Sequence, residues 1–287
     1  MRYIFLNLKR FDVPRAAGGV NNICGIDIWG AHIIKAVQQD LKRHRDTQFI
    51  MFFPEAHILS AKSAMDEKSD EASPIALGSQ GVHFDNISPG GNFGAFTTSL
   101  PAKAAAALGC EWVLIGHCEE RNKLKAILQA GGLRDMSAVN IILGKAAKCA
   151  IDSGLNVLYC VGETADEQPY KERVLKEQLE AIAGLPAACK NPQATIVIGY
   201  EPVWAIGPGK TPPDGEYIRH ISEYIKSLVP YPVVYGGGLK TENAQMLAGI
   251  ESIDGGLIAL TRFGGDFGFY PDEYLEIVAE YLRGSQS

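Results

Sequence analysis

The chain has no CxxC pair, no apolar run of membrane-spanning length and no surplus of basic residues. Its six cysteines, Cys24, Cys110, Cys118, Cys149, Cys160 and Cys189, lie far apart. That spacing suggests neither a zinc site nor a disulfide framework and points to a reducing compartment. Lys and Arg number 27 against 33 Asp and Glu, a net charge of −6, and the basic residues are scattered. No nucleic-acid or anionic-membrane partner is therefore expected, and a small molecule is. The opening MRYIFLNLKRF breaks its apolar run at Lys9 and Arg10, too soon for the core of a signal peptide, and no stretch reaches the ~18 apolar residues of a membrane span. A cytoplasmic location is expected. Linkers, fixed-period repeats and low-complexity tracts are also missing. A chain of 287 residues, 46% hydrophobic, is thus expected to form one domain, residues 1–287, around a large core.

What the chain does contain is an alternation of short β-rich runs with helix-patterned segments. The runs are YIFLNL, FIMFF, IALGSQGV, WVLIG, VLYCV, TIVIGY, PVVYG and GGLIAL. Most are almost continuously apolar, as parallel strands covered on both faces should be. Between them lie stretches such as IWGAHIIKAVQQDLKRH, SAVNIILGKAAKCAIDSG, KERVLKEQLEAIAGL and PDEYLEIVAEYL, the last opening with proline at a first-turn position. Eight strand-then-helix units predict an α/β chain folded as a (β/α)8 barrel rather than a doubly wound sheet.

In such a barrel the chemistry gathers at the carboxyl ends of the strands. Lys9, with Asn7 just inside it, follows YIFLNL; His117 follows WVLIG; Glu201 follows TIVIGY. A lone histidine or glutamate at a strand end is more often an ordinary hydrogen-bonded residue. The three together supply a base, an acid able to stay neutral and a fixed cation around one mouth. That set suits proton abstraction beside a carbonyl, with Glu201 taking the proton, His117 polarising the oxygen and Lys9 offsetting the developing charge.

YEPVWAIGPGK, residues 200–210, resembles Y/F-E-P-V-W-A-I-G-T-G-K, the signature of the triosephosphate isomerase family, with Pro208 in place of threonine. WVLIGHCEER resembles the family's W-V-I-I-G-H-S-E-R-R, LYCVGE its I-A-C-I-G-E, YGGGLKTENA its Y-G-G-S-V-K-P-E-N-A and NLK its N-W-K, all in the family's order. The resemblance implies an isomerase of glycolysis and gluconeogenesis that interconverts dihydroxyacetone phosphate and glyceraldehyde 3-phosphate through an enediolate, with no cofactor and no metal. It assigns catalysis to Lys9, His117 and Glu201, the pairing of a glutamate base with a neutral histidine being the family's own. Asn7, Gly207, Gly237 and Gly238 would border the substrate and Glu119 would lie behind the site. PVWAIGPGKT resembles a lid that keeps the enediol from water, hinged at Pro202, Val203 and Trp204 and again at Lys210 and Thr211. A tight surface turn is the plain alternative for so Gly- and Pro-rich a stretch. The resemblance also implies a homodimer in which loop three crosses the interface and Thr97 supports the neighbouring site.

The departures are equally specific. RFDVPRAAGGVNNICGID is inserted after NLK, long enough to reach over the mouth and re-wall the pocket. Ala259 and Leu260, in GLIALTR, stand where the family's F-L-V-G-G-A-S has two glycines; they border the substrate, and their Cβ atoms limit how closely backbone can approach a phosphate. Arg262, two residues on, is the nearest candidate phosphate contact, with a solvated surface charge as the bland alternative. Gly238 replaces a serine whose backbone does the binding. Glu120 occupies an arginine position of S-E-R-R, and NFGAFTTSL lacks the loop-three glutamate that would pair with it. Either that pair has drifted or loop three docks differently on a partner. Three readings stay open: the family's own reaction, the same isomerisation on another short sugar phosphate such as a tetrulose phosphate, and a barrel that binds sugar phosphate without turnover. Retention of Lys9, His117, Glu201 and the lid argues against the last.

Overall fold

The computed structural model describes residues 1–65, 73–133, 135, 137–207 and 209–284; Pro208, at the centre of the expected lid, lies outside them. Eight strands, β1 (Arg2–Asn7), β2 (Thr47–Phe53), β3 (Ile75–Ser79), β4 (Trp112–Ile115), β5 (Asn156–Val161), β6 (Ile196–Tyr200), β7 (Val233–Tyr235) and β8 (Gly255–Ile258), pair in chain order. All the pairings are parallel, and the sheet closes where Tyr3 to Leu6 of β1 meet Gly255 to Ile258 of β8. Around the strands lie α1 (Trp29–Leu41), α2 (Glu55–Ala64), α3 (Ala102–Leu108), α4 (Cys118–Ala130), α5 (Ser137–Asp152), α6 (Lys171–Glu180), α7 (Leu185–Ala188), α8 (Gly215–Leu228), α9 (Thr241–Ala248) and α10 (Pro271–Gly284). The chain is a (β/α)8 barrel, as its alternating pattern predicts.

Closure explains why the strand runs are continuously apolar. Successive side chains of a strand point to opposite faces, and here both faces are dry. Phe5, Phe52, Trp112, Leu114, Leu158, Val197, Val234 and Leu257 fill the inside of the barrel. Their neighbours Ile4, Leu6, Met51, Val113, Val157 and Ile198 pack outward beneath the helices. Inside, the Phe5 ring stacks on Phe52 at 5.8 Å between centroids and meets Trp112 edge-on at 5.4 Å. The helices are specified locally as well: Asp214 caps α8 by accepting from the Tyr217 N–H at 2.8 Å, and Ile218, Ile221 and Ile225 form its buried stripe.

Several strands stop earlier than their apolar runs suggest. β3 ends at Ser79 rather than Val82, and β8 at Ile258 rather than Leu260. β7 leaves Pro232 and Gly236 outside. The pairing of β3 with β4 is confined to Gly78↔Trp112 and Ser79↔Val113, so the chain beyond has no ladder to extend, and its apolar residues line loops instead. The loops at the carboxyl ends of β1, β4 and β6 carry Lys9, His117 and Glu201 within a residue or two of the barrel.

Phe5→Ala is expected to cost about 3–5 kcal/mol through the cavity it leaves in the stacked trio. Urea unfolding followed by tryptophan fluorescence measures it; a loss below about 1 kcal/mol would show that these rings do not fill the barrel.

Candidate active site

Glu201 follows the last residue of β6 and is 2% exposed. Its Oε2 accepts a hydrogen bond from the Cys118 N–H at 2.8 Å. Its Oε1 lies 3.2 Å from His117 Nε2 without making an aligned hydrogen bond, so one oxygen is buried and unpartnered. Burial disfavours the charged form and pushes the carboxyl up from 4.5 to about 8, outweighing the Cys118 N–H and the Lys9 charge that favour the carboxylate. The chain can pass so close because Gly236 has no side chain: a Cβ there would stand 2.8 Å from Glu201 Cγ and 2.9 Å from the Tyr200 carbonyl oxygen.

His117 is the N-cap of α4, and its Nδ1 accepts from the Glu119 N–H at 3.3 Å. With Nδ1 as acceptor, the proton of the neutral ring is assigned to Nε2, the nitrogen facing Glu201. Burial, reinforced by the Lys9 charge, lowers the imidazolium to about 4, so the ring is neutral at pH 7. Cys118 beside it is pushed up to about 12 by burial and by Glu201, and stays a thiol. Among the described residues, the one group of three side chains placed to hold a metal ion is this same His117, Cys118 and Glu201 set, whose ligand atoms lie within 4.8 Å of one another.

Lys9 has φ +37°, the left-handed region that costs a residue with a Cβ, and its surroundings hold it there. Its N–H donates to Asn7 Oδ1 at 3.0 Å, while Gln80 Nε2 donates to the Lys9 carbonyl at 2.9 Å and to that of Phe52 at 3.2 Å. The Lys9 ammonium donates to Glu119 Oε1 at 2.7 Å. The turn that presents His117 is gripped from two sides. Arg121 donates to the Gly116 carbonyl at 2.9 Å and to that of Cys160 at 2.8 Å. Glu120, the departure from the family's arginine, accepts from the Gly116 N–H at 2.6 Å. Trp204, in the stretch expected to hinge a lid, is tied down by Glu163, fully buried, which accepts from Trp204 Nε1 at 2.8 Å, Tyr200 Oη at 3.0 Å and Tyr217 Oη at 3.1 Å. Gln80 and Glu163 escaped the residue-by-residue reading of strand ends, although Glu163 closes the quoted LYCVGE.

These elements enclose a cavity of about 250 Å³ that brings together Asn7, Lys9, His117, Glu201, Gly207, Gly237, Gly238, Ala259 and Leu260. Phe11, Phe263 and Phe267 give it an aromatic side. The inserted loop 1 supplies Phe11 and is anchored below by the buried Asp12, which pairs with Arg10 at 2.7 Å and His57 at 3.1 Å. Above, Arg15 pairs with Asp266 at 2.7 Å and Asn22 donates to Tyr270 Oη at 3.0 Å, stitching loop 1 to the loop after β8. Arg262, the expected phosphate contact, does not line the cavity. An antiparallel bridge with Gly268 turns it toward α10, where its Nε and Nη2 both bond Glu273 Oε1, at 2.7 and 2.5 Å, and its guanidinium lies 3.8 Å over the Tyr270 ring. A larger cavity of about 550 Å³, bordered by His44, Glu111, Trp112 and Asn156, opens where the strands begin and contains none of these groups.

Fold and site together define a (β/α)8-barrel protein with an acid–base centre at the carboxyl ends of its strands. The sequence model of the triosephosphate isomerase family matches residues 29–266. The triosephosphate isomerase of Psychrobacter sp. (strain PRwf-1) is 32% identical over 232 residues, 75% of this chain and 80% of that protein. That of Alkaliphilus metalliredigens (strain QYMF) is 31% identical over 236 residues, 77% and 83%. The crystal structure of triosephosphate isomerase from Bartonella henselae has the same fold, with a TM-score of 0.69 over 98% of this chain and 99% of that one at 23% identity. The chain belongs to the triosephosphate isomerase family.

The raised carboxyl makes a stability prediction. Between pH 4.5 and about 8 the folded state holds a proton on Glu201 that the unfolded state has lost. This contribution is full below the unfolded value and disappears as pH rises through the folded one. Glu201→Gln abolishes it, so the melting temperature of the variant minus that of the unmodified protein should climb from pH 4.5 to 8 and then level off. A difference independent of pH across calorimetric scans would contradict the raised carboxyl.

Proposed function

We propose that this chain interconverts dihydroxyacetone phosphate and glyceraldehyde 3-phosphate, acting as a single-domain homodimer in the cytoplasm. The observation that carries the reading is the pairing of a buried carboxylate with one open oxygen and a neutral imidazole whose Nε2 lies 3.2 Å from it. In this reading Glu201 removes a proton from the carbon beside the carbonyl and returns it to the neighbouring carbon. His117 donates from Nε2 to the carbonyl oxygen, and the Lys9 ammonium lowers the energy of the enediolate between the two steps. A carboxyl near 8 is a stronger base than one near 4.5, and a neutral imidazole polarises without surrendering its proton outright. The hinge held by Glu163 supports closure of residues 206–210 over the intermediate, and Gly207 and Gly209, with φ of +118° and +75°, supply a backbone that other residues seldom adopt. For the dimer, support comes from loop three, where Phe93 is 86% exposed and Thr97 lies on the surface.

One observation favours a second reading, the same isomerisation on a four-carbon sugar phosphate: the aromatic side formed by Phe11, Phe263 and Phe267 comes from loops that depart from the family pattern. A coupled assay on three-, four- and five-carbon sugar phosphates separates the two. The triose reading requires the highest kcat/KM on the triose phosphates, and a higher value on a tetrulose phosphate would replace it.

Two outcomes are expected of the base itself. Glu201→Ala should lower kcat by about 10²–10⁴-fold with an unchanged circular dichroism spectrum; kinetics within twofold of the parent, roughly 0.4 kcal/mol, would remove Glu201 from the mechanism. For the parent, kcat/KM should rise by roughly tenfold per pH unit up to about 8 and then flatten, because the free enzyme must shed the Glu201 proton. A profile flat from pH 6 to 9 would show the base to be ionised throughout.

A further inference from the structure

We propose that the side chain of Lys240, poised over the Phe263 ring, is the cation that binds the substrate's phosphate in this chain; the assignment rests on the isomerase reading and names a group within its site. Three lysines border the cavity: Lys9, Lys210 and Lys240. The Lys9 ammonium is bonded to Glu119 and stands at the reacting end. Lys210 belongs to the far hinge of the lid. Lys240 ends the turn between β7 and α9, and its Nζ lies 3.8 Å from the centroid of Phe263. Among the described residues no carboxylate pairs with it. A cation seated on an aromatic face keeps its charge and loses water on one side only, so its donors remain available to an anion.

The surroundings suit an anion in the same corner. The N–H groups of Gly237 and Gly238 border the cavity and donate to no acceptor among the described residues. The turn that carries them is stiff: the Lys240 N–H donates to Asn243 Oδ1 at 2.8 Å, and Asn243 Nδ2 donates to the Gly238 carbonyl at 2.9 Å. Opposite, Ala259 and Leu260 present Cβ atoms where the family's two glycines would admit backbone, so a phosphate must sit further out, toward a longer donor. Arg262, the other cation nearby, is committed to Glu273. Lys240 reaches where the backbone of the loop after β8 does not.

Phe263 is then a positioning residue. It stands on the loop after β8, which Arg15 and Asn22 of the inserted loop 1 hold through Asp266 and Tyr270. The two departures from the family pattern cooperate in placing one ring beneath one ammonium.

The test is calorimetric binding of 2-phosphoglycolate and of inorganic phosphate, beside kcat and KM on glyceraldehyde 3-phosphate. Lys240→Met should weaken 2-phosphoglycolate at least tenfold, raise KM by a similar factor and leave kcat within about threefold. Lys240→Arg should restore most of the affinity. Phe263→Leu, which keeps bulk and loses the π face, should weaken binding severalfold with kcat unchanged, and Phe263→Tyr should rescue it. An unchanged affinity in folded Lys240→Met, or a loss confined to kcat, overturns the assignment. If the parent protein binds 2-phosphoglycolate through Lys240 but does not turn over triose phosphates, the lysine assignment stands and the triose reading falls. If it turns them over with KM indifferent to Lys240, the reverse holds.

Discussion

A carboxylate taken out of water is costly unless hydrogen bonds meet its charge or a proton cancels it, and Glu201 sits under that constraint at the mouth of the barrel. One N–H, from Cys118, reaches its Oε2; its Oε1 has no hydrogen-bond donor, and the group is held near 8 rather than in the ordinary carboxylate range. The same dry surroundings keep His117 neutral, because an imidazolium would suffer the identical penalty. Desolvation therefore does two opposite-looking things at once: it raises the proton affinity of the Glu201 carboxylate and lowers that of the neighbouring imidazole, so that the ring stays a neutral donor.

The desolvation is itself a product of close backbone approach. Gly236 lets β7 end against Glu201, and Gly116, with φ +77°, lets the turn before His117 fold back beneath Arg121. Lys9 accepts left-handed backbone because Asn7 and Gln80 fix the atoms on either side of it. The cationic and anionic partners are thus positioned by hydrogen bonds from three different strand ends, and the strain at Lys9 is offset by contacts outside the reacting group.

Loop 1 and the loop after β8 change the other half of the mouth. Their mutual contacts through Arg15, Asp266, Asn22 and Tyr270 make them one wall, and Asp12, wholly buried between Arg10 and His57, roots that wall in the helix layer. The result is an aromatic face where the family pattern has open glycine backbone. By the assignment proposed for Lys240, a site so lined would hold an anion by side-chain cations more than by main-chain dipoles.

The barrel was legible in the sequence because both of its faces are buried, so most strands read as short, almost unbroken apolar runs. Where a run outlasted its strand, as at Val82 and Leu260, composition could not tell a ladder from an apolar loop, since only the partner strand decides where pairing stops. Asn7, Lys9, His117 and Glu201 were legible for a related reason: position at a strand's end locates a residue at the mouth whatever the surroundings. The pairing of Arg262 was not legible, because nearness in sequence says nothing of which way a bridged loop turns, and its partner is Glu273, eleven residues away on α10. Glu163, Gln80 and the Lys240–Phe263 contact join elements far apart in the chain, and no local pattern announces them. The sequence by itself determined the architecture and which residues stand at the mouth, because alternation and strand ends are local properties. The tertiary structure alone decided the directions in which Glu201 and His117 shift and the aromatic wall of the cavity, since burial and charge proximity exist only once distant segments have met.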